Sequence, residues 1–220
     1  MSVVVAIKEG DKVYVGADSQ ATKGGTRTTL RNPNNYKIWK VDGAENCLMG
    51  HVGNVRDANI IRLMSNVIDD YDEFCKRVNY RFVVKFLVPE IVKELREAGF
   101  LKKNDGYVDY LDSSFLFAYR DKLYMINTDC CVVEVDDYVA IGSGAQEAIG
   151  SLLSTEGQSP RKRIVKAIKA SAASDIYVDY PIILSDTGST GFEIITEKNE
   201  YKYLNNGKKD AEEKGEESKS

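Results

Sequence analysis

Residues Met1 to Asp18 constrain the fold more than any other stretch of the chain. Val3-Val4-Val5-Ala6-Ile7-Lys8 and Lys12-Val13-Tyr14-Val15-Gly16-Ala17-Asp18 are β-branched runs separated by Gly10-Asp11. That pattern predicts a β-hairpin over residues 3–8 and 12–18. The same stretch carries a chemical possibility, because Ser2 directly follows the initiator Met1. Methionine aminopeptidase usually trims a Met that precedes a small residue, which would leave Ser2 with a free α-amine. A serine hydroxyl needs a base to act as a nucleophile, and an amine on the same residue supplies one. Its reference pKa of about 7.7–8.0 leaves a neutral fraction near pH 7. Met-Ser is also a common start with no function attached, so Ser2 alone decides nothing.

After Asp18, the polar stretch Ser19 to Asn35 reads as a loop or irregular ribbon over the sheet. Tyr36 to Val41 alternates as a half-buried strand with Lys37 and Trp39 on one face, and a further strand follows over Asn46–Gly50. Two helices are predicted next. One spans Val55 to Cys75, with Ala58, Ile61, Met64, Ile68, Tyr71 and Cys75 on one face. The other spans about Tyr80 to Ala98, with Val84, Val88, Ile91, Leu95 and Ala98 as its face, a kink at Pro89 and a stop at Gly99.

Leu101 to Leu111 reads as a loop. Ser114–Tyr119, Lys122–Asn127, Cys131–Val135 and Tyr138–Ile141 read as a meander of short strands. Gly142-Ser143-Gly144 leads into a helix over about Ala145 to Leu153, and Ser159-Pro160 opens another that runs to about Ser174. Residues 177–184, 192–197 and 200–204 read as strands. Gly207 to Ser220 is Lys/Glu/Ser-rich and is expected to be disordered, leaving one domain over residues 1–206. The order of elements predicts an α+β sandwich of two packed sheets with helices outside.

The net charge of −4 offers no footprint for nucleic acid, and no apolar run approaches a membrane span or a secretory signal, so a cytoplasmic protein is expected. Cys47, Cys75, Cys130 and Cys131 lack C-x-x-C spacing, and His51 is the lone histidine, which speaks against a metal site or any cofactor held by such ligands. His51 is likewise the only base for a Ser-His-Asp triad, and no G-x-S-x-G accompanies it.

Six segments together resemble the proteasome β-subunit family, especially its HslV-type branch among the N-terminal nucleophile hydrolases. They are Ser2 to Ala6; Val15-Gly16-Ala17-Asp18-Ser19-Gln20-Ala21-Thr22; Tyr36-Lys37-Ile38; Met49-Gly50-His51-Val52-Gly53 with Asp57-Ala58; Ala140 to Ala145; and Asp175-Ile176-Tyr177. The resemblance implies a four-layer αββα fold and an endopeptidase acting on polypeptide substrates within a homo-oligomeric ring, with a possible ATP-dependent unfoldase as partner. It implies that Ser2 is the nucleophile in place of the family's threonine, with Asp18 and Lys37 beside it and the Gly50 N–H at the oxyanion. Ser143 and Asp175 then support the amine.

Other readings stand beside these. Asp18 and Lys37 also fit an ordinary surface ion pair, Ser143 a helix cap, and Asp175 a solvated helix end. The family's second hydroxyl, three residues after the aspartate, falls on Val178. Asp186-Thr187-Gly188-Ser189 would restore that hydroxyl at the cost of a shifted match. Two other functions share the fold: a scaffold subunit that keeps Met1, and a small-molecule amidase.

Overall fold

The computed structural model describes residues 2–64, 78–104 and 107–197. In chain order its strands begin with β1 (Val3–Glu9) and β2 (Lys12–Ala17), joined through Gly10, whose φ of +63° suits a residue without a Cβ. There follow β3 (Gln20–Lys23), β4 (Thr26–Thr29), β5 (Ile38–Lys40), β6 (Cys47–Gly53), β7 (Lys102–Asn104), β8 (Tyr107–Tyr110), β9 (Ser113–Tyr119), β10 (Lys122–Ile126), β11 (Val132–Val135), β12 (Tyr138–Gly142), β13 (Ile182–Asp186) and β14 (Glu193–Ile195). One five-stranded sheet has the order β12-β1-β2-β13-β14, the other β11-β10-β9-β6-β5.

The unbroken apolar run of β1 is explained by burial on both faces. Val4 and Ala6 point between the sheets, where they meet Ile38, Leu48, Leu116 and Ile141. Val3, Val5 and Ile7 point outward onto the helices α4 (Ala145–Ser154) and α5 (Pro160–Ser174), against Leu152, Ile164 and Ile168. A Cβ at Gly16 would lie 2.4 Å from Ile164 Cγ2, so α5 rests directly on β2. On the far side, Met49, Phe115, Phe117 and Tyr124 of the second sheet pack under the remaining helices. The result is the expected four-layer αββα sandwich.

The helix over the second sheet departs from its expected form. It opens at Asn79, whose Oδ1 accepts from Phe82 N–H at 3.1 Å. It then runs through α2 (Tyr80–Phe82), a π-helical turn (Val83–Leu87) and α3 (Val88–Glu97). Pro89 has no N–H for a ladder bond, and its ring would crowd the carbonyl four residues back; the π turn before it makes the room. The turn also rotates the buried face by a residue, so Phe82, Val83 and Leu87 are buried and Val84 is not fully so. Gly99, at φ +74°, ends the helix as expected.

Four other expectations change. α1 (Val55–Ile61) ends at Ile61 instead of reaching Cys75; Ile68, Tyr71 and Cys75 lie outside the described residues. Residues 101–111 carry the β7–β8 ribbon where a loop was expected. β12 leaves the meander to pair with β1, Val3 facing Gly142 and Val5 facing Ala140. Finally β13 begins only at Ile182, after Pro181, which has no N–H to give the ladder. The strand at 200–204 and the tail from Gly207 lie outside the described residues. No described helix is long and apolar enough to cross a membrane.

Candidate active site

The crossing of β12 into the first sheet determines where Ser2 sits. Ser2 lies at the start of β1, 5% exposed, with its N–H donating to Ser143 Oγ at 3.0 Å. Ser143 Oγ in turn approaches Ser2 O at 3.4 Å, and Gly144 N–H donates to the same carbonyl. The N-cap position of α4 falls on Gly144, so Ser143 is no helix cap and turns to Ser2 instead. Gly142 permits this approach: at φ +106°, an added Cβ would stand 2.1 Å from Ser2 O. Gly142→Ala is therefore expected to push Ser2 away from Ser143 and to destabilise the fold by about 1–3 kcal/mol. Urea unfolding of the variant beside the parent checks this.

Asp18, at the end of β2, ties three segments together. Its Oδ1 accepts from Lys37 Nζ at 2.7 Å and from Val3 N–H at 3.0 Å, and its Oδ2 from Gln20 N–H at 2.9 Å. Asp18 is fully buried and Lys37 6% exposed, which rules out the surface-pair reading. Burial pushes the Asp18 carboxyl up, opposed by the Lys37 charge and the two amides. Burial likewise pulls Lys37 below the usual lysine range, opposed by Asp18 and more weakly by Asp175. With the Asp179 N–H at 3.4 Å from Oδ2, four donors converge on one carboxylate and match its ionised, acceptor-only form.

Asp175 follows α5 at its C-terminal cap. Its Oδ1 accepts from Tyr177 N–H at 2.9 Å, while Oδ2 is buried without a partner. A solvated helix end would leave no such atom. The alternative Asp186 lies at the other end of the sheet, opposite Tyr14 and 3.5 Å from Lys12 Nζ. Val178 is buried in the core beside Gly144, so no hydroxyl stands at that point. Gly50 sits mid-strand between Ile38 and Leu116, where a Cβ would meet Val4 Cγ1 at 2.8 Å. Its missing side chain lets the sheets close, and it does not line the cavity beside Ser2.

That cavity, about 50 Å³, has Ser2, Lys37, Gln20, Thr22, His51 and Arg62 in its wall. His51 is buried, with Nε2 3.2 Å from Ser113 Oγ, and Ser113 Oγ donates to Asp57 Oδ2 at 2.7 Å. The order is wrong for a nucleophilic triad, since the serine proton already goes to the carboxylate. Burial, with the Lys37 charge adding to it, pulls the imidazole down to about 3, so it is neutral at working pH.

The sequence profile described as Proteasome subunit matches residues 2–172. The chain belongs to the proteasome-subunit family. Among curated members, the ATP-dependent protease subunit HslV of Caldicellulosiruptor saccharolyticus is 27% identical over 182 residues, 81% of this chain and 93% of that one. The HslV subunit of Borrelia duttonii is 28% identical over 195 residues, 85% and 97% of the two chains. Two solved structures share the fold. The Thiobacillus denitrificans protein BPH has a TM-score of 0.65 at 15% identity, covering 89% of this chain and 99% of its own. HslV from Trypanosoma brucei has 0.61 at 20%, covering 84% and 98%.

In this proteasome-family chain, Gln20, Arg62 and Gly142 went unremarked as site residues in the sequence. Gln20 and Arg62 reach the cavity from separate segments, and only Gly142, inside a Gly-Ser-Gly run next to a predicted helix, carried a local signal.

Proposed function

We propose that this chain is an endopeptidase whose nucleophile is Ser2, presented as the amino-terminal residue once Met1 is removed. The observation that carries the reading is the Asp18 Oδ1 junction. One oxygen receives both the Lys37 ammonium and the N–H of Val3, which holds the lysine within one residue of Ser2. The names of the curated relatives, protease subunits, support peptide-bond hydrolysis.

The Lys37 charge favours the Ser2 alkoxide and keeps a neighbouring α-amine neutral, two effects in the same direction. The amine takes the Oγ proton as Oγ adds to the scissile carbonyl. The proton then passes to the departing amine, and the acyl group stays on Ser2 until water, deprotonated by the same amine, releases it. Ser143 and Asp175 hold the amine in place. Residues 1–206 form the hydrolase domain, copies of which assemble into a cytoplasmic ring fed with polypeptide by an ATP-driven unfoldase.

Ser2→Ala is expected to reduce cleavage of a fluorogenic peptide about a thousandfold or more without altering urea unfolding. Peptide cleavage that survives the substitution overturns the reading. Turnover of small amides alone would identify an amidase, and a purified chain that keeps Met1 and cleaves nothing would identify a scaffold subunit.

A further inference from the structure

We infer that the cavity beside Ser2 is a pocket for a glutamate or aspartate side chain on the acyl side of the scissile bond, selected by the Arg62 guanidinium. The inference rests on the Ser2 peptidase reading and names its substrate class.

Val55, Ala58, Asn59 and Arg62 all line the cavity, and their spacing of three, four and seven residues places them on one face of α1 and its continuing turn. Nearest the start of that stripe the wall is small and apolar; one turn on, it ends in a cation. The volume of about 50 Å³ has room for roughly four water-sized groups, the size of a short acidic side chain.

The charges in the wall decide the class. Lys37 is committed to Asp18 at 2.7 Å, and His51 is neutral. Among the described residues no carboxylate lines the cavity, and none pairs with Arg62. The guanidinium is instead fixed by uncharged groups. It donates to Pro33 O at 3.3 Å and to Tyr36 O, and its Cζ lies 5.0 Å from the Trp39 ring centre. Its Nε–H is buried without a partner.

A half-buried guanidinium that gives only two of its five N–H donors, both to uncharged carbonyls, favours a carboxylate, which returns charge-assisted bonds. A leucine side chain would cover the cation and offer nothing back, and a lysine would add like charge. Discrimination of this kind is large because the wrong substrate leaves the site's own polar group unpaired.

The test uses the full chain, with loss of Met1 verified by mass, and four fluorogenic peptides that differ only in Glu, Gln, Leu or Lys before the scissile bond. The Glu peptide is expected to exceed its neutral isostere Gln by about tenfold or more in kcat/KM, with Lys the poorest. Arg62→Gln is expected to bring Glu down to the Gln level and leave the Gln peptide within about threefold. Arg62→Lys, which keeps the charge, is expected to retain a preference for Glu even if Arg62→Gln loosens the Pro33 and Tyr36 tethers. Equal rates for Glu and Gln, or an Arg62→Gln loss shared by every peptide, would overturn the inference while leaving the Ser2 reading standing. If no peptide is cleaved, the Ser2 reading is what fails. Calorimetric binding of product peptides ending in Glu or Gln then decides the pocket: tighter binding of Glu supports it, equal binding overturns it.

Discussion

Lys37→Met is expected to abolish peptide hydrolysis, by about a thousandfold or more, and to destabilise the fold at the same time. The two losses have different origins. Stability falls because Asp18 stays buried with no counter-charge, a defect that costs about 3–5 kcal/mol when one partner of a buried pair is removed. Activity falls because the positive field beside Ser2 is gone. Adding Asp18→Asn to Lys37→Met separates them. The double variant is expected to recover part of the stability, since no lone charge remains, and none of the turnover. Urea unfolding and peptide cleavage measured on all four forms check this. Activity returning along with stability would reduce Lys37 to a structural partner.

The second large effect is a pH dependence carried by the only histidine in the chain. Burial holds His51 at about 3 in the folded protein against 6.5 in the unfolded chain. Between those values the unfolded chain binds a proton that the native fold refuses. The stability carried by this group is therefore fully present above pH 6.5 and is lost as pH falls toward 3. The loss sets in around pH 6.5 and steepens toward a slope on the order of 1 kcal/mol per pH unit below it. Carboxylates also titrate in acid, so the comparison is with His51→Gln, which can still donate to Ser113 Oγ but carries no titrating proton. The difference between the two unfolding curves isolates the histidine. Because His51 stays neutral through the working range, the acid limb of kcat/KM is expected to be unchanged by His51→Gln and to follow the Ser2 amine.

The sequence made the core of the site legible where chemistry and local pattern coincide. Asp18 falls at the end of one predicted strand and Lys37 within the next, just before β5 as it forms, while their contact is what the family resemblance implies. What pattern does not carry is which sheet a short strand joins. Tyr138–Gly142 alternates as its meander neighbours do, yet it crosses to β1, and that crossing puts Gly142 and Ser143 against Ser2. The π turn before Pro89 escaped because the proline announces a disturbance without saying whether the chain kinks or widens. His51 and Arg62 acquire their meaning from burial and from their surroundings in the wall, the Asp57–Ser113 relay behind one and, among the described residues, the lack of a carboxylate around the other. Neither is a local property of sequence.

The central claim is that a serine with its own free amine is the reacting group. A short peptide ending in an electrophile that closes a ring only with a hydroxyl and an amine on one residue is the natural probe. Incubation of the full chain with it, followed by intact mass and fragment mapping, tests the claim most directly. The account predicts a protein lighter by one methionine that carries a single inhibitor on Ser2. Met1 retained on a protein that still cleaves peptides, or an inhibitor mapped to any residue other than Ser2, would contradict it.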